Sequence, residues 1–474
     1  MKNWLRKILD RPTRFTKLLQ RICKQDVLIF VNNGNRDALG LVSVYAYLKY
    51  IHHLRVKIKS VMFLERFWTI LFRPQVTVHI SADSPDSLMM YQELHAMGSA
   101  CVMSLTENFV WTSPIHFVSK YDYKPYLTKI LLAGAGMEDV LVSHHKIDPS
   151  QVSLVGFPTF DWGISPHKDW FLKKNEFCAR HHFSPNTKII VLASSFSMAD
   201  IDMREYETKY FHWNLSKEEM AEQVYVSDQM REKTIRYFSE LLLRHPDWIL
   251  LVRKHPVERR RRYDEAWSRN PQVIPVHYDE LYDILNICDV LVHWNSTTSV
   301  QAWSFGKPTV LLWFEESRRF DELYGEHMDK QFADPKNGNY ICHTDKDLER
   351  ALEHAGGEVP EIQRKAREQF IAQWFYRLDG QSSARAASVL AHVGMEHKND
   401  DVTYDMTTLD LLQGMRTYVP YMFKRCILFC FSLSLPLAQW LARTMGSSYD
   451  SFYVERHLWR FEKKLRHSLH STTL

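Results

Sequence analysis

Small hydroxyl residues crowd one turn of this chain. In His293 to Pro308, HWNSTTSVQAWSFGKP, the residues Asn295, Ser296, Thr297, Thr298 and Ser299 separate an apolar run ending at His293 from a helical stretch beginning near Val300. A single Ser or Thr suffices to cap a helix. Several of them, beside backbone N–H groups and the positive end of the helix dipole, suit an anion such as phosphate. Gly306-Lys307-Pro308 closes the helix, and Gln301 lies in its first turn.

A second stretch, Leu250 to Pro256 (LLVRKHP), delivers Arg253, Lys254 and His255 at the end of an apolar run. Pro256 then stops strand pairing. Three successive cationic or donor groups suit a diphosphate or phosphodiester. A second His-Pro, His245-Pro246, falls at a helix end and reads as ordinary structure. Glu107, in SLTENF, comes after another apolar run and could accept a proton from a hydroxyl substrate. In Val155 to Asp161 (VGFPTFD), Gly156 and Pro158 make a tight turn, and Asp161 could cap the next element. The four arginines Arg259 to Arg262 read as solvated surface.

These groups need a scaffold, and the apolar runs provide it. Gln25–Asn32, Gln75–Ile80, Ala100–Leu105 and Ser153–Gly156 read as buried parallel strands with helical stretches between them. A second series begins at Lys188–Ala193 and continues through Trp248–Arg253, Val290–His293 and Thr309–Trp313, with a long amphipathic helix over Asp228–Arg244. The polar stretch Gly163–Asn186 reads as a linker between two α/β domains. Two such domains facing one another would bind a ligand at their carboxyl strand ends.

The 474 residues are 45% hydrophobic and 24% charged, which excludes wholesale disorder and fibrous architecture. A mean hydropathy of −0.33 excludes a polytopic membrane protein. Residues 1–25 hold eight cations against Asp10 alone, a local charge of +7 that leaves the rest of the chain at −3. Charge so confined argues against nucleic acid as a partner. The seven scattered cysteines form no zinc spacing and fit a reducing cytoplasm.

Both ends of the chain suit a membrane surface. Trp4, Leu5, Ile8, Leu9, Phe15, Leu18, Leu19 and Ile22 have helical spacing, broken near Pro12, with cations opposite. This pattern fits an interfacial helix on anionic lipid or a basic helix packed on the protein itself. Cys426–Ala442 is 17 residues without a charge, short of the 20 or so that span a bilayer. It reads first as a half-inserted or interfacial segment, with a buried hydrophobic helix and then a true span as the alternatives. His457–His467 is a further basic amphipathic stretch, and Tyr418, Tyr421, Trp440 and Trp459 suit an interface.

The order of these segments resembles bacterial surface-carbohydrate biosynthesis proteins of glycosyltransferase-B (GT-B) type, relatives of capsule Kdo transferases and CDP-glycerol glycerophosphotransferases. Leu105–Asn108 is similar to a "TEG" motif, and Val152–Asp161 to "GNPRFD", from which Phe157 and Thr159 depart. Ala193–Phe196 is similar to "NTNF", Arg253–Glu258 to "RPHPSE", and His293–Pro308 to "IHNNCTTGIEAFLLGKP". Trp374–Ser383 is similar to a closing helix motif with "DG", here Asp379-Gly380. The resemblance spans Asp26 to Val393. Lys254 stands where the family often has Pro, and Gln301 where a Glu usually holds the donor ribose.

The resemblance implies an α/β chain of GT-B type, with two facing Rossmann-like domains and a C-terminal amphipathic and hydrophobic helical tail. The expected bounds are a membrane-surface helix at 1–25, an acceptor domain at 26–165, a nucleotide-sugar donor domain at 186–393 and the tail at 394–474. It implies sugar transfer from a nucleotide-activated donor, a CMP-Kdo-like one among the candidates, to a glycan or lipid-linked glycan. The nucleotide-sugar would be a substrate, with no cofactor. Arg253, Lys254, His255, Asn295, Ser296, Thr297, Thr298 and Gln301 would hold the donor and its phosphate, taking the place of a metal. Glu107 would be the base, with His255 the second catalytic group. The expected location is cytoplasmic, peripheral on the inner face of the cytoplasmic membrane. The alternatives are a CDP-glycerol-type glycerophosphotransferase, a nucleotide-sugar 2-epimerase and a non-catalytic polysaccharide-assembly module.

Overall fold

The computed structural model describes residues 9–31, 34–60, 65–79, 85–104, 123–143, 146–206, 216–255, 258, 261–276, 281–294, 296–324, 335–356, 359–397, 404–416 and 448–472. Glu107, Asn295, Pro256 and the 426–442 run lie outside the described residues, as do Trp4, Leu5, Ile8, Tyr418 and Tyr421. The chain forms two units, Met1–Trp162 with Ile371–Leu474, and Gly163–Phe370.

The first unit opens with helix α1 (Arg14–Cys23), then alternates strand and helix: β1 (Val27–Val31), α2 (Gly34–Tyr50), β2 (Val56–Ser60), α3 (Glu65–Phe72), β3 (Val76–His79), α4 (Pro85–Ala96), β4 (Ala100–Ser104), β5 (Lys129–Leu132), α5 (Ala135–Ser143) and β6 (Val152–Leu154). The six strands are parallel in the order β2-β1-β3-β4-β5-β6. The pleat sends Val27, Ile29 and Val31 to one face, where Leu41, Val44 and Leu48 of α2 cover them. Leu28 and Phe30 point to the other face, against Trp68 and Leu71 of α3.

The second unit repeats the plan. It runs α6 (Lys174–Arg180), β7 (Lys188–Ala193), α7 (Lys217–Arg244), β8 (Trp248–Arg253), α8 (Arg261–Trp267), β9 (Val273–Pro275), α9 (Leu281–Ile287), β10 (Val290–His293), α10 (Thr298–Ser304), β11 (Thr309–Leu312), α11 (Glu315–Tyr324), β12 (Tyr340–Cys342) and α12 (Asp345–His354). Its sheet order is β12-β11-β10-β7-β8-β9, again parallel. The stretch expected to be a linker, 163–186, folds into this unit. Phe171 and Phe177 are buried, the Leu172 amide donates to Asp283 at 2.8 Å, and Lys174 pairs with Asp289 at 2.7 Å.

The chain then returns to the first unit. Helix α13 (Glu361–Trp374) crosses the boundary, and α14 (Ser382–Glu396) lays Ala387, Leu390 and Val393 into the first core. The second unit therefore ends at Phe370, short of the expected limit at 393. The return is anchored by one carboxylate. Buried Asp161 accepts from the Ser382 and Ser383 amides at 3.1 and 2.7 Å, capping a helix more than two hundred residues away. Gly156 sits beside this contact with φ +83°, and a Cβ there would fall 2.4 Å from the Ser382 Oγ. Only glycine meets both demands. Arg385 adds bonds to the Val155 carbonyl and to Asp379, at 2.9 and 2.8 Å. The two stretches that looked like "GNPRFD" and "DG" motifs thus meet each other.

The last helix, α15 (Ser448–Thr472), buries His457, Phe461, Leu465 and Leu469, a four-residue spacing, and packs along α2. Phe461 meets Trp162 at 4.6 Å between ring centres, and Glu462 pairs with Lys49 at 2.7 Å. Among the described residues no helix is long and apolar enough to cross a membrane.

The anchor is testable by denaturation. Asp161→Ala leaves two buried amides without their acceptor and is expected to cost the first unit about 2 kcal/mol in urea unfolding. Asp161→Asn, which keeps one acceptor, is expected to cost less.

Candidate functional site

Parallel pairing puts the loops of the second sheet on one edge. Arg253 of β8 is level with Ala193 of β7, and Ala193 is level with His293 of β10. At the usual strand spacing, Arg253 and His293 stand about 10 Å apart across the middle strand. The loops carrying Lys254 and His255, Ser194 to Phe196, and Ser296 to Thr298 leave this row in the same direction. The segments that sequence reading singled out as separate signals are therefore neighbours.

The loop after β8 is built around a buried carboxylate. Glu258 accepts from the Ser194 hydroxyl at 3.0 Å, the Phe196 amide at 2.8 Å, the His255 amide at 3.4 Å and the Tyr263 hydroxyl. Burial pushes its pKa up, while these four donors hold it back. Lys254 works from the same side. It is buried, and its ammonium donates to the Glu258 and His255 carbonyls at 2.8 and 3.3 Å. A Pro at 254 would lack this strut. With Lys254 turned in, His255 is left exposed at the crest of the loop, and Arg253 is half-buried with its guanidinium 3.4 Å from the Val276 carbonyl.

The hydroxyl cluster divides its labour. The Ser296 hydroxyl accepts from the Thr298 amide at 3.3 Å, and its carbonyl accepts from the Ser299 amide at 3.1 Å. Ser296 is thus the cap. Thr297 makes no side-chain cap and is exposed, and Thr298 is half-buried. Thr297 therefore presents its side chain to solvent at the start of the helix. Gln301 is turned inward and donates to the Tyr282 hydroxyl at 3.3 Å.

Beneath the turn, His293 is buried. Its Nε2 lies 3.1 Å from the Asn339 side-chain Oδ1, which also accepts from the Thr309 hydroxyl at 2.6 Å. Burial lowers the His293 pKa to about 4, with the bond to Asn339 opposing. Arg367 completes this layer with bonds to the Gly338 carbonyl at 2.7 Å and Thr309 at 3.2 Å. Burial lowers its pKa to about 10.

Other sequence signals fall elsewhere. His245 lies at the opposite, amino end of β8, where it and Arg244 engage Glu349 at 2.8 and 2.9 Å. It joins Glu349 and Glu353 in a cluster of ligating atoms within 4.8 Å. Glu349 is already occupied by these two partners. Nothing in the sequence marks Glu258, Ser194 and Asn339 for these positions, because the Ser194–Glu258 and His293–Asn339 bonds join segments 64 and 46 residues apart.

No family profile matches the chain, and no curated protein sequence does. Solved structures do. A histidine-to-alanine variant of the wall teichoic acid polymerase TagF is 12% identical with a TM-score of 0.54, covering 84% of this chain and 98% of that one. A histidine-to-asparagine variant of TagF, soaked with CDPG for 30 minutes, is 12% identical with a TM-score of 0.52, covering 84% and 97%. A weaker likeness, TM-score 0.48 at 12% identity over 81% and 99%, is to a UDP-N-acetylglucosamine 2-epimerase from Listeria monocytogenes. The first two place the chain in the GT-B-type fold, with its two Rossmann-like domains.

The buried histidine gives a pH prediction. A folded pKa near 4 against an ordinary value near 6.5 means His293 must stay neutral in the native state. Its contribution is whole above about pH 6.5 and is lost as pH falls toward 4. Between pH 7 and pH 4 the loss is expected to be about 3 kcal/mol. In urea unfolding at the two pH values, His293→Gln should show a correspondingly smaller decline than the unaltered protein.

Proposed function

We propose that this protein is a GT-B-type transferase that moves a sugar from a nucleotide-activated donor, of the CMP-Kdo kind, to a lipid-linked surface-polysaccharide acceptor at the inner face of the cytoplasmic membrane. The single observation that supports it best is the shared edge of the second sheet, where the level row Arg253, Ala193 and His293 brings the basic loop beside the hydroxyl turn. A donor phosphate seated there would meet the Arg253 guanidinium, the His255 ring and the Thr297 and Thr298 hydroxyls. These groups would offset charge gathering on the departing nucleotide. Lys254 would act through the loop, holding His255 outward. Ser296 would act by fixing the turn, and Gln301 by bracing α10 against Tyr282. Glu107 is assigned as the base that takes the acceptor proton.

A second reading, a CDP-glycerol-type glycerophosphotransferase, draws support from the likeness to TagF, structures of which were obtained with CDPG. The same edge would serve it, since both donors leave a nucleotide phosphate. A thermal-shift comparison of CDP-glycerol with a CMP-sugar separates the two donors, because a ligand binding the native state raises the melting temperature.

His255→Ala is expected to weaken nucleotide binding about tenfold and to lower donor-dependent transfer by at least as much. Unchanged affinity and unchanged transfer would remove the donor assignment. With both substrates saturating, Glu107→Gln is expected to lower turnover about 100-fold or more; wild-type turnover would remove Glu107 as base.

A further inference from the structure

Helix α1 seats both polar and apolar side chains against the protein. Thr16 and Gln20 are each 1% exposed, and Leu19 and Cys23 pack on the core beside them. Thr16 closes a capping box with Thr13, the two exchanging bonds of 2.9 to 3.1 Å. Gln20 donates to the Ile70 carbonyl at 2.8 Å and the Tyr404 carbonyl at 3.2 Å, and accepts from the Met406 amide at 3.0 Å. These bonds fix which side of the helix faces the protein. The outward side then carries Phe15, Leu18 and Ile22, which are 63%, 55% and 72% exposed. At 3.6 residues per turn they lie within about 60° of arc and form one ridge. Arg14, Lys17, Arg21 and Lys24 are also exposed and run along one flank of that ridge. Lys17 shares its charge with Asp405 at 2.8 Å.

An apolar ridge left in water costs free energy, and burying it by rotation would expose Leu19 and Cys23 in its place. Here the rotation is locked by Gln20. A ridge of large apolar side chains with a cationic flank matches the boundary of an anionic bilayer, where acyl chains lie below and phosphates beside. We infer that α1 docks on an anionic membrane with Phe15, Leu18 and Ile22 inserted among the acyl chains and Arg14, Lys17 and Arg21 at the headgroups. This contact face rests on the membrane location proposed above and extends that reading.

The test is flotation of the full-length protein with vesicles of phosphatidylcholine containing about one-third phosphatidylglycerol, without nucleotide. The unaltered protein should float with them, more weakly as salt rises, and poorly with phosphatidylcholine alone. The triple substitution Phe15→Ser, Leu18→Ser, Ile22→Ser removes exposed groups only. It should keep the circular dichroism and melting temperature of the parent and partition about tenfold less. Arg14→Gln with Arg21→Gln should weaken flotation and flatten its salt dependence. Flotation of the serine variant equal to the parent would overturn the inference. So would a parent that ignores anionic vesicles, or one that is a dimer in solution and becomes monomeric in the serine variant, since a second copy would then cover the ridge. None of these results bears on nucleotide binding, so the transferase reading stands or falls separately.

Discussion

The Glu258 carboxylate is the interaction on which the candidate site depends. It ties together the end of β7, the loop after β8 and the start of α8, through Ser194, Phe196, His255 and Tyr263. A buried acid without these donors would be costly, and the donors without the acid would be buried and unmet. The set is stable only when complete, and when complete it fixes Glu258 and the His255 amide against the end of β7. Lys254 donates to the backbone carbonyls of Glu258 and His255 from the same side. The exposed position of His255 is a consequence of this packing.

The parallel sheet does the rest. Every strand of the second unit hands its chain to the same edge, so residues far apart in sequence converge without any contact between them being specified in advance. The first unit uses the same arrangement, and its cap from Asp161 to α14 decides where the chain must return after Phe370.

Legibility in the sequence tracks the physical origin of each feature. Strands β1, β3, β4, β7, β8 and β10 lie inside their sheets and are continuous apolar runs, and they stand out in the sequence. β2 (VKIKS) and β12 (YIC) sit at sheet edges, where one side is wet and the apolar signal thins, and they do not. Position in the sheet is not the whole of it: interior β5 (KILL), four residues opening on Lys129, does not stand out, while edge β6 does, because its run continues into Val155. The 163–186 stretch read as a linker because its composition is polar, yet Phe171 and Phe177 supply enough burial to fold it into the second unit. In α1 the periodicity showed a stripe but not its direction, since Gln20 owes its inward position to carbonyls at 70 and 404. The hydroxyl turn was legible as a cluster. That Ser296 caps while Thr297 faces out required the backbone.

The central claim is that a nucleotide phosphate binds at the carboxyl edge of the second sheet. Hydrogen exchange of the full-length protein with and without saturating CMP, CDP or UDP tests this most directly. At least one nucleotide should slow exchange at the segments that leave β7, β8 and β10, around Ser194 to Met198, Lys254 to Glu258 and Ser296 to Val300. Protection confined to the amino end of that sheet, or to the first unit, would contradict it, as would the absence of any change with all three.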